Sequence, residues 1–476
     1  MPPLNPPRLR DRPAYGRVDR ANSARGWGAL TITVAATAGA TIPGAHAPAG
    51  QRLVLLAIAL VGWAVTVWAA HQGQLTRKTL LGAALLGTGL ALIAPPVGST
   101  DVSSYAVYGR MVAAHHASPY TKLPADFPSD PWYPRMATFW HHTGSVYGPL
   151  FTGLSAAGMA VAKGSFLKGR LFFQLLAALS FLLCVRIVDR QTRGDPAAIA
   201  FVGLNPVLIA VAVNGAHNDI LTGLAVLAGV ALVMRRHPRW AAAGIVIALG
   251  ALVKLVGLLA LGALAVWAWR RYGRRAAFTV AVAGGVTTII GYLAGGGPSA
   301  LKPVFHATGQ QQLPAFWAYP RRWLTKSHGA LAAEHLVSKL SLATIAIVAA
   351  AAVLIWLNER TPVLPVAGAL FAFLVGGAYL MAWYPAWVLP LIALKWRSKL
   401  SLLIAAHAGV LTLAAVERPS QLTGATLTVV RFLHDTLLPI ANVAICVGLV
   451  AYAVSVLISS SKALSARSRI SSSVRS

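Results

Sequence analysis

Long apolar runs recur along this chain, broken by short turns rich in Arg, Lys, Gly and Pro, and their lengths set the class of structure they can form. The runs cover approximately 28–45, 52–70, 79–97, 168–185, 196–213, 219–234, 240–253, 255–269, 276–295, 337–357, 361–381, 385–396, 400–416 and 436–457. A helix of about 20 residues crosses the ~30 Å hydrocarbon layer of a bilayer. The pattern therefore predicts an all-α fold, a polytopic transmembrane helical bundle of about fourteen spans. The runs 240–253, 255–269 and 385–396 are short, reaching roughly 18–22 Å at ~1.5 Å per residue, so flanking Trp and Arg must anchor them at the interfaces.

The segment 147–165, YGPLFTGLSAAGMAVAKGS, is ambiguous by hydropathy, and charge decides its treatment. Were it to cross, the turns bearing Arg186, Arg190 and Arg193, then Arg235, Arg236 and Arg239, then Arg270, Arg271, Arg274 and Arg275, would all lie outside. That contradicts the positive-inside bias. We read it as a re-entrant or surface-lying helix, with both termini cytoplasmic. On this topology one outer face collects Asp101, a large loop over 97–146, the turn NGAHND (214–219), Lys254, a loop over 296–334 and AWYPAW (382–387).

Composition agrees with a cell-membrane protein: 57% hydrophobic, 11% charged and mean hydropathy +0.64 leave no large globular domain. The net charge of +29 is dispersed through short turns instead of forming a stripe, which argues against nucleic acid as a partner. Residues 1–27 read as a disordered basic cytoplasmic arm without a secretory signal, 28–458 as the membrane domain, and 459–476 as a disordered basic cytoplasmic tail. Arm and tail suit the anionic inner leaflet, and no obligate protein partner is expected. Cys184 and Cys446 sit inside apolar runs and read as packing residues.

Acidic residues number only 12 in 476, so a carboxylate where a span meets the outer surface is a candidate for chemistry. Asp101 opens the 97–146 loop, and Tyr105 and Tyr108 follow at helical spacing on its face. The same loop and its end supply Arg110, two His pairs including His141 and His142, three Asp and Tyr147. Aromatic faces with hydroxyl-bonding carboxylates and imidazoles suit sugar rings. An interfacial aromatic belt and a helix N-terminal role for Asp101 are the structural alternatives.

DVSSYAVYGRMVAAHHASPY, VYGPL, LNPVLIAVAVNGAHNDILTGL, LGALVKLVGLL and YLMAWYPAWVLPLIAL, in that order across roughly 97–396, resemble the GT-C glycosyltransferases of actinobacteria. The resemblance is to the polyprenol-phosphate-mannose-dependent α-(1→6)-mannosyltransferases of lipomannan synthesis. It implies a GT-C helical bundle, a lipid-phosphate sugar donor, a lipid-anchored glycan acceptor and an acidic catalytic base opening the first outer loop. The matching position is Asp101.

A β-linked lipid-phosphate mannose attacked by an acceptor hydroxyl gives an α product in one inverting displacement, which needs one base and no protein nucleophile. Lys254, Arg321 and Arg322 are the candidate phosphate clamp, and His141 and His142 weaker ones. His217, Asn218, Asp219, Trp383 and Tyr384 are candidate substrate contacts. A snorkelling role for Lys254 and capping roles for Asn218 and Asp219 remain alongside. The adjacent His pairs diverge, and neither HExxH nor Cys-based spacing occurs, so no metal and no cofactor are expected. Two alternatives stay open: an arabinofuranosyltransferase using decaprenyl-phosphate arabinose, and a secondary transporter or flippase.

Overall fold

The computed structural model describes residues 20–42, 48–307, 315–417 and 419–473, and among them every regular element is helical. Helices α1 (Arg20–Gly39) and α2 (Ala49–His71) run side by side, joined by a Thr33–Thr66 hydroxyl contact of 3.0 Å. A Cβ on Gly62 would come within 2.9 Å of the Thr33 hydroxyl, the close approach that small residues permit between membrane helices. Helix α3 (Arg77–Ile93) starts at Thr76, whose side chain accepts from the Thr79 amide, and leads to α4 (Asp101–Ala113).

Helix α5 (Pro149–Ala162) lies against α4 so closely that a Cβ on Gly109 would meet the Ser155 carbonyl at 2.5 Å. It occupies the ambiguous 147–165 segment. Helix α6 (Phe166–Gln191) follows, then α7 (Pro196–Gly203). Pro206 has no amide to continue α7, Asn205 turns its side-chain oxygen to the Val207 amide, and the chain resumes as a π-helix over Val207–Val213. Next come α8 (Asp219–Val233), α9 (Trp240–Ala251), α10 (Gly257–Tyr272) and α11 (Arg274–Ala294). Helices α12 (Lys302–Ala307) and α13 (Ala318–His328) fall in the expected 296–334 loop, ahead of α14 (Ala330–Trp356) and α15 (Val363–Gly376). The chain ends through α16 (Leu389–Ile392), α17 (Lys399–Ala415), α18 (Gly424–Phe432) and α19 (Leu438–Ser473).

Among the described residues, six helical segments are long and apolar enough to cross a membrane: α2, α6, Pro196–Val213, α11, α14 and Gly424–Ser459. Five shorter apolar helices, α5, α8, α9, α15 and α17, account for further runs. The Pro196–Val213 window is 94% buried within the protein, whereas those of α11 and Gly424–Ser459 are 28% and 17% buried. A segment apolar on all sides and packed by neighbours tolerates the break at Pro206, while α11 and Gly424–Ser459 lie at the periphery. Of the expected basic arm, residues 1–19 lie outside the described residues, and α1 already begins at Arg20. At the other end, α19 carries helical backbone past the 436–457 run to Ser473.

Candidate active site

Asp101, the NGAHND turn, Lys254 and AWYPAW come together in the fold, around two connected cavities. Asp101 is the first residue of α4, its amide held by the Ser99 hydroxyl at 3.1 Å, and its side chain is 14% exposed. The π-helix and the turn after it deliver its partner. A positive φ of 55° at Ala216, a conformation costly for a residue with a Cβ, turns the chain so that His217 faces Asp101. His217 Nδ1 lies 3.4 Å from Asp101 Oδ2, and the imidazole stacks on Trp383 at 3.7 Å between ring centres, 12° from parallel.

Asn214 ties this turn to the segment leading into Asp101. Its amide nitrogen donates to the Ala91 carbonyl at 2.9 Å, and its oxygen accepts from the Val97 amide at 3.1 Å. Gln174, from α6, donates to the carbonyls of Ala94 and Asn214. Both side chains are fully buried, so these bonds resist competition from water.

A cavity of about 680 Å³ opens at Asp101. It is lined by residues 98–101 and 135–140, by Tyr379, Met381 and Trp383, and by residues 414–417 and His434. Beside it runs a second, largely apolar groove of about 300 Å³ between α10 and α14, lined by Leu255, Leu258, Leu259, Leu342, Ile345 and Phe373 among others. Cavity and groove share Trp140 and Tyr379. Lys254 lines the groove near that junction.

Lys254 is fixed on several sides. Its ammonium donates to Asp219 Oδ1 at 2.7 Å and lies 4.6 Å from the centre of the Tyr384 ring. The Trp387 indole donates to the same oxygen at 2.6 Å, and Trp387 stacks on Tyr384. The loop carrying Lys254 is itself pinned, since the amides of Gly148 and Leu150 donate to the carbonyls of Val253 and Leu252. Asp219, wholly buried, thus serves as a counter-ion, and neither it nor Asn218 makes a capping bond on α8. The Asn218 amide atoms, Asp219 Oδ2, the Tyr105 hydroxyl and His217 Nδ1 are buried without a hydrogen-bond partner.

The remaining candidates separate. Tyr105, Tyr108 and Tyr147 pack edge to face under α4, with the Tyr108 hydroxyl donating to the Thr143 carbonyl at 2.8 Å. Burial first, and then the charge of Asp101, hold all three phenols far above their ordinary range, so they remain neutral. Arg110 is occupied by Asp130 at 2.7 Å, where His115 also bonds. His141 stacks on Tyr133, and His142 is exposed; neither lines the cavity or the groove. Arg321 and Arg322 belong to α13 and line neither. Sequence reasoning did not single out Arg135, Tyr379, Trp387, Glu417 or His434. Two of them left a trace: Trp387 in AWYPAW, and Tyr379 as the first residue of YLMAWYPAWVLPLIAL.

Residues 15–271 match the family model described as alpha-(1->6)-mannopyranosyltransferase, N-terminal domain. The chain is 27% identical over 237 residues to alpha-(1->6)-mannopyranosyltransferase A of Mycobacterium tuberculosis, covering 47% of this chain and 45% of that one. It is 26% identical over 263 residues to a probable alpha-(1->6)-mannopyranosyltransferase of Mycolicibacterium smegmatis, covering 47% and 46%. Alpha-(1->6)-mannopyranosyltransferase B of Corynebacterium glutamicum is 26% identical over 215 residues, covering 40% and 35%. The match therefore spans less than half the length of each of these relatives. No solved structure matches at a significant level.

Proposed function

The chain belongs to the alpha-(1→6)-mannopyranosyltransferase family, and from that membership we propose that it transfers mannose from a polyprenyl-phosphate donor to a lipid-linked glycan with inversion. The observation that carries this reading is the junction of the two cavities. An apolar groove between α10 and α14 ends near a fixed cation, Lys254, and joins at Trp140 and Tyr379 a cavity in which Asp101 stands. A prenyl chain suits the groove, its phosphate suits Lys254, and the sugar then reaches Asp101.

In the proposed reaction the acceptor hydroxyl attacks the anomeric carbon of a β-linked mannosyl phosphate. A glycosidic C–O bond forms as the bond to phosphate breaks, and Asp101 takes the hydroxyl proton. A positioned base of this kind contributes roughly 10²- to 10⁴-fold. His217, held flat on Trp383, orients the carboxylate. Polyprenyl phosphate departs as a weak base, so Lys254 assists by charge and not by protonation.

On the same reading about fourteen segments cross or enter the bilayer, α5 lies within the outer face beside α4, and both termini are cytoplasmic. The reaction faces outward. Membranes containing the chain should incorporate radiolabelled mannose from polyprenyl-phosphate mannose into lipid-linked acceptor, and Asp101→Asn should lower the rate at least 10²-fold while leaving donor binding intact. Transfer only from the decaprenyl-phosphate arabinose donor, or none with either, would refute the assignment.

A further inference from the structure

The donor path described above leaves part of the Asp101 cavity unused. The groove and the cavity share Trp140 and Tyr379, but only the cavity also reaches Glu417 and His434. Because Asp101 must receive its proton from the acceptor, the acceptor sugar occupies this remaining part.

A charged pair stands there. Glu417 lines the cavity although its side chain is only 3% exposed, and it is ion-paired with Arg52 of α2, whose side chain is 8% exposed. Two buried charges carry a desolvation cost that hydrophobic residues in their place would avoid, so the pair is poorly accounted for by stability alone. Its position also couples it to the base. Gly98 has φ +79°, and a Cβ there would come within 2.9 Å of the Val416 carbonyl and 3.3 Å of Arg52 Nη2. The peptide that leads into Asp101 therefore rests on the same seam.

That seam joins two parts of the chain. Arg52 and Asp101 fall within the stretch matching the family model, whereas Glu417, His434, Tyr379 and Trp383 fall beyond residue 271. Resting on the transferase reading, we propose that Glu417 is an acceptor-binding residue that accepts hydroxyl hydrogen bonds from the acceptor sugar. It reads the acceptor, not the donor. A carboxylate accepts two hydroxyls at once, which suits neighbouring hydroxyls of a pyranose ring. Arg52 orients it by ion pairing, and the half-exposed ring of Phe139, which also lines the cavity, offers an apolar surface to a sugar face.

The test uses the full chain in proteoliposomes, with polyprenyl-phosphate mannose as donor and an octyl α-(1→6)-linked dimannoside as acceptor probe. Glu417→Gln keeps the shape and loses the charge. The expected result is an acceptor KM raised roughly tenfold, with kcat and donor KM unchanged. A set of monodeoxy acceptors supplies a second readout on the unaltered protein. One of them should be a poor acceptor for the wild type yet no worse than its parent for Glu417→Gln.

Equal rises in donor and acceptor KM, or a loss confined to kcat, would assign Glu417 a structural role and overturn the proposal. So would a full set of deoxy acceptors that all match the parent with the wild type, which decides the matter even if the variant fails to fold. Absence of transfer by the wild type from this donor would instead sink the transferase reading on which the proposal stands.

Discussion

Replacing Lys254 by Met and Asp219 by Asn, singly and together, separates what this ion pair does for stability from what it does for function. The oxygen and nitrogen lie 2.7 Å apart, with the Asp219 side chain fully buried and that of Lys254 16% exposed. Lys254→Met leaves a buried carboxylate with only the Trp387 indole as donor, and removing one member of such a pair costs about 3–5 kcal/mol. Asp219→Asn strands the ammonium, though Tyr384 and the open groove soften the loss to about 2–4 kcal/mol. In the double variant no charge is left unpaired, and the carboxamide oxygen that replaces the carboxylate still accepts from the Trp387 indole. The double should therefore lie within about 1–2 kcal/mol of the wild type, and the cycle should show a coupling of ~3 kcal/mol or more. Apparent Tm in detergent reads the stability order, with both single variants low and the double recovered. Transfer activity should stay lost in the double, because the cation that meets the donor phosphate is gone. A double variant as unstable as the sum of the singles would refute the pairing, and a stable double with full activity would refute the phosphate role.

Two further substitutions probe how the base is held. His217→Ala removes both the contact with Asp101 and the stack on Trp383, so kcat should fall roughly 10- to 100-fold with little change in donor KM; unchanged kcat in the proteoliposome assay would mean that Asp101 needs no orienting partner. Asn214→Ala leaves the Val97 amide and the Ala91 carbonyl without their side-chain partner, which should cost about 2–4 kcal/mol and lower Tm in detergent. A Tm within error of the wild type would show that the segment before Asp101 holds its course by packing alone.

Much of this arrangement was legible because membrane insertion imposes simple rules on sequence. Apolar run length marked the helices, and the alternation of basic turns sorted the polar residues into those that emerge with Asp101 and those that do not. That sorting placed Asp101, His217, Lys254 and Trp383 on one face, and the structure gathers these same side chains around two connected cavities. The individual roles were less legible. Asp219 reads from sequence as a helix cap or a hydroxyl acceptor, since nothing local distinguishes a carboxylate that bonds its own helix from one that bonds a lysine 35 residues away. Run length likewise could not separate a short central helix from a spanning one, because what permits Pro196–Val213 to break at Pro206 is burial on all sides by neighbours.

The same limit explains why Glu417 escaped notice. It owes its position to an ion pair made across hundreds of residues, and it does not sit in a polar loop of unusual composition. Glu417 follows an apolar run, where a carboxylate reads as an ordinary helix-end charge facing water. In the fold it is turned inward, held by Arg52, and set beside the peptide that leads into the base. A rare acid inside an apolar protein calls for scrutiny on physical grounds wherever it occurs, since keeping it charged and buried requires a partner. Applied to all 12 acidic residues of this chain instead of to the loop alone, that rule would have flagged Glu417 beside Asp101. The two carboxylates lie 316 positions apart (417 − 101) yet face one cavity, and the family model reaches only the first of them.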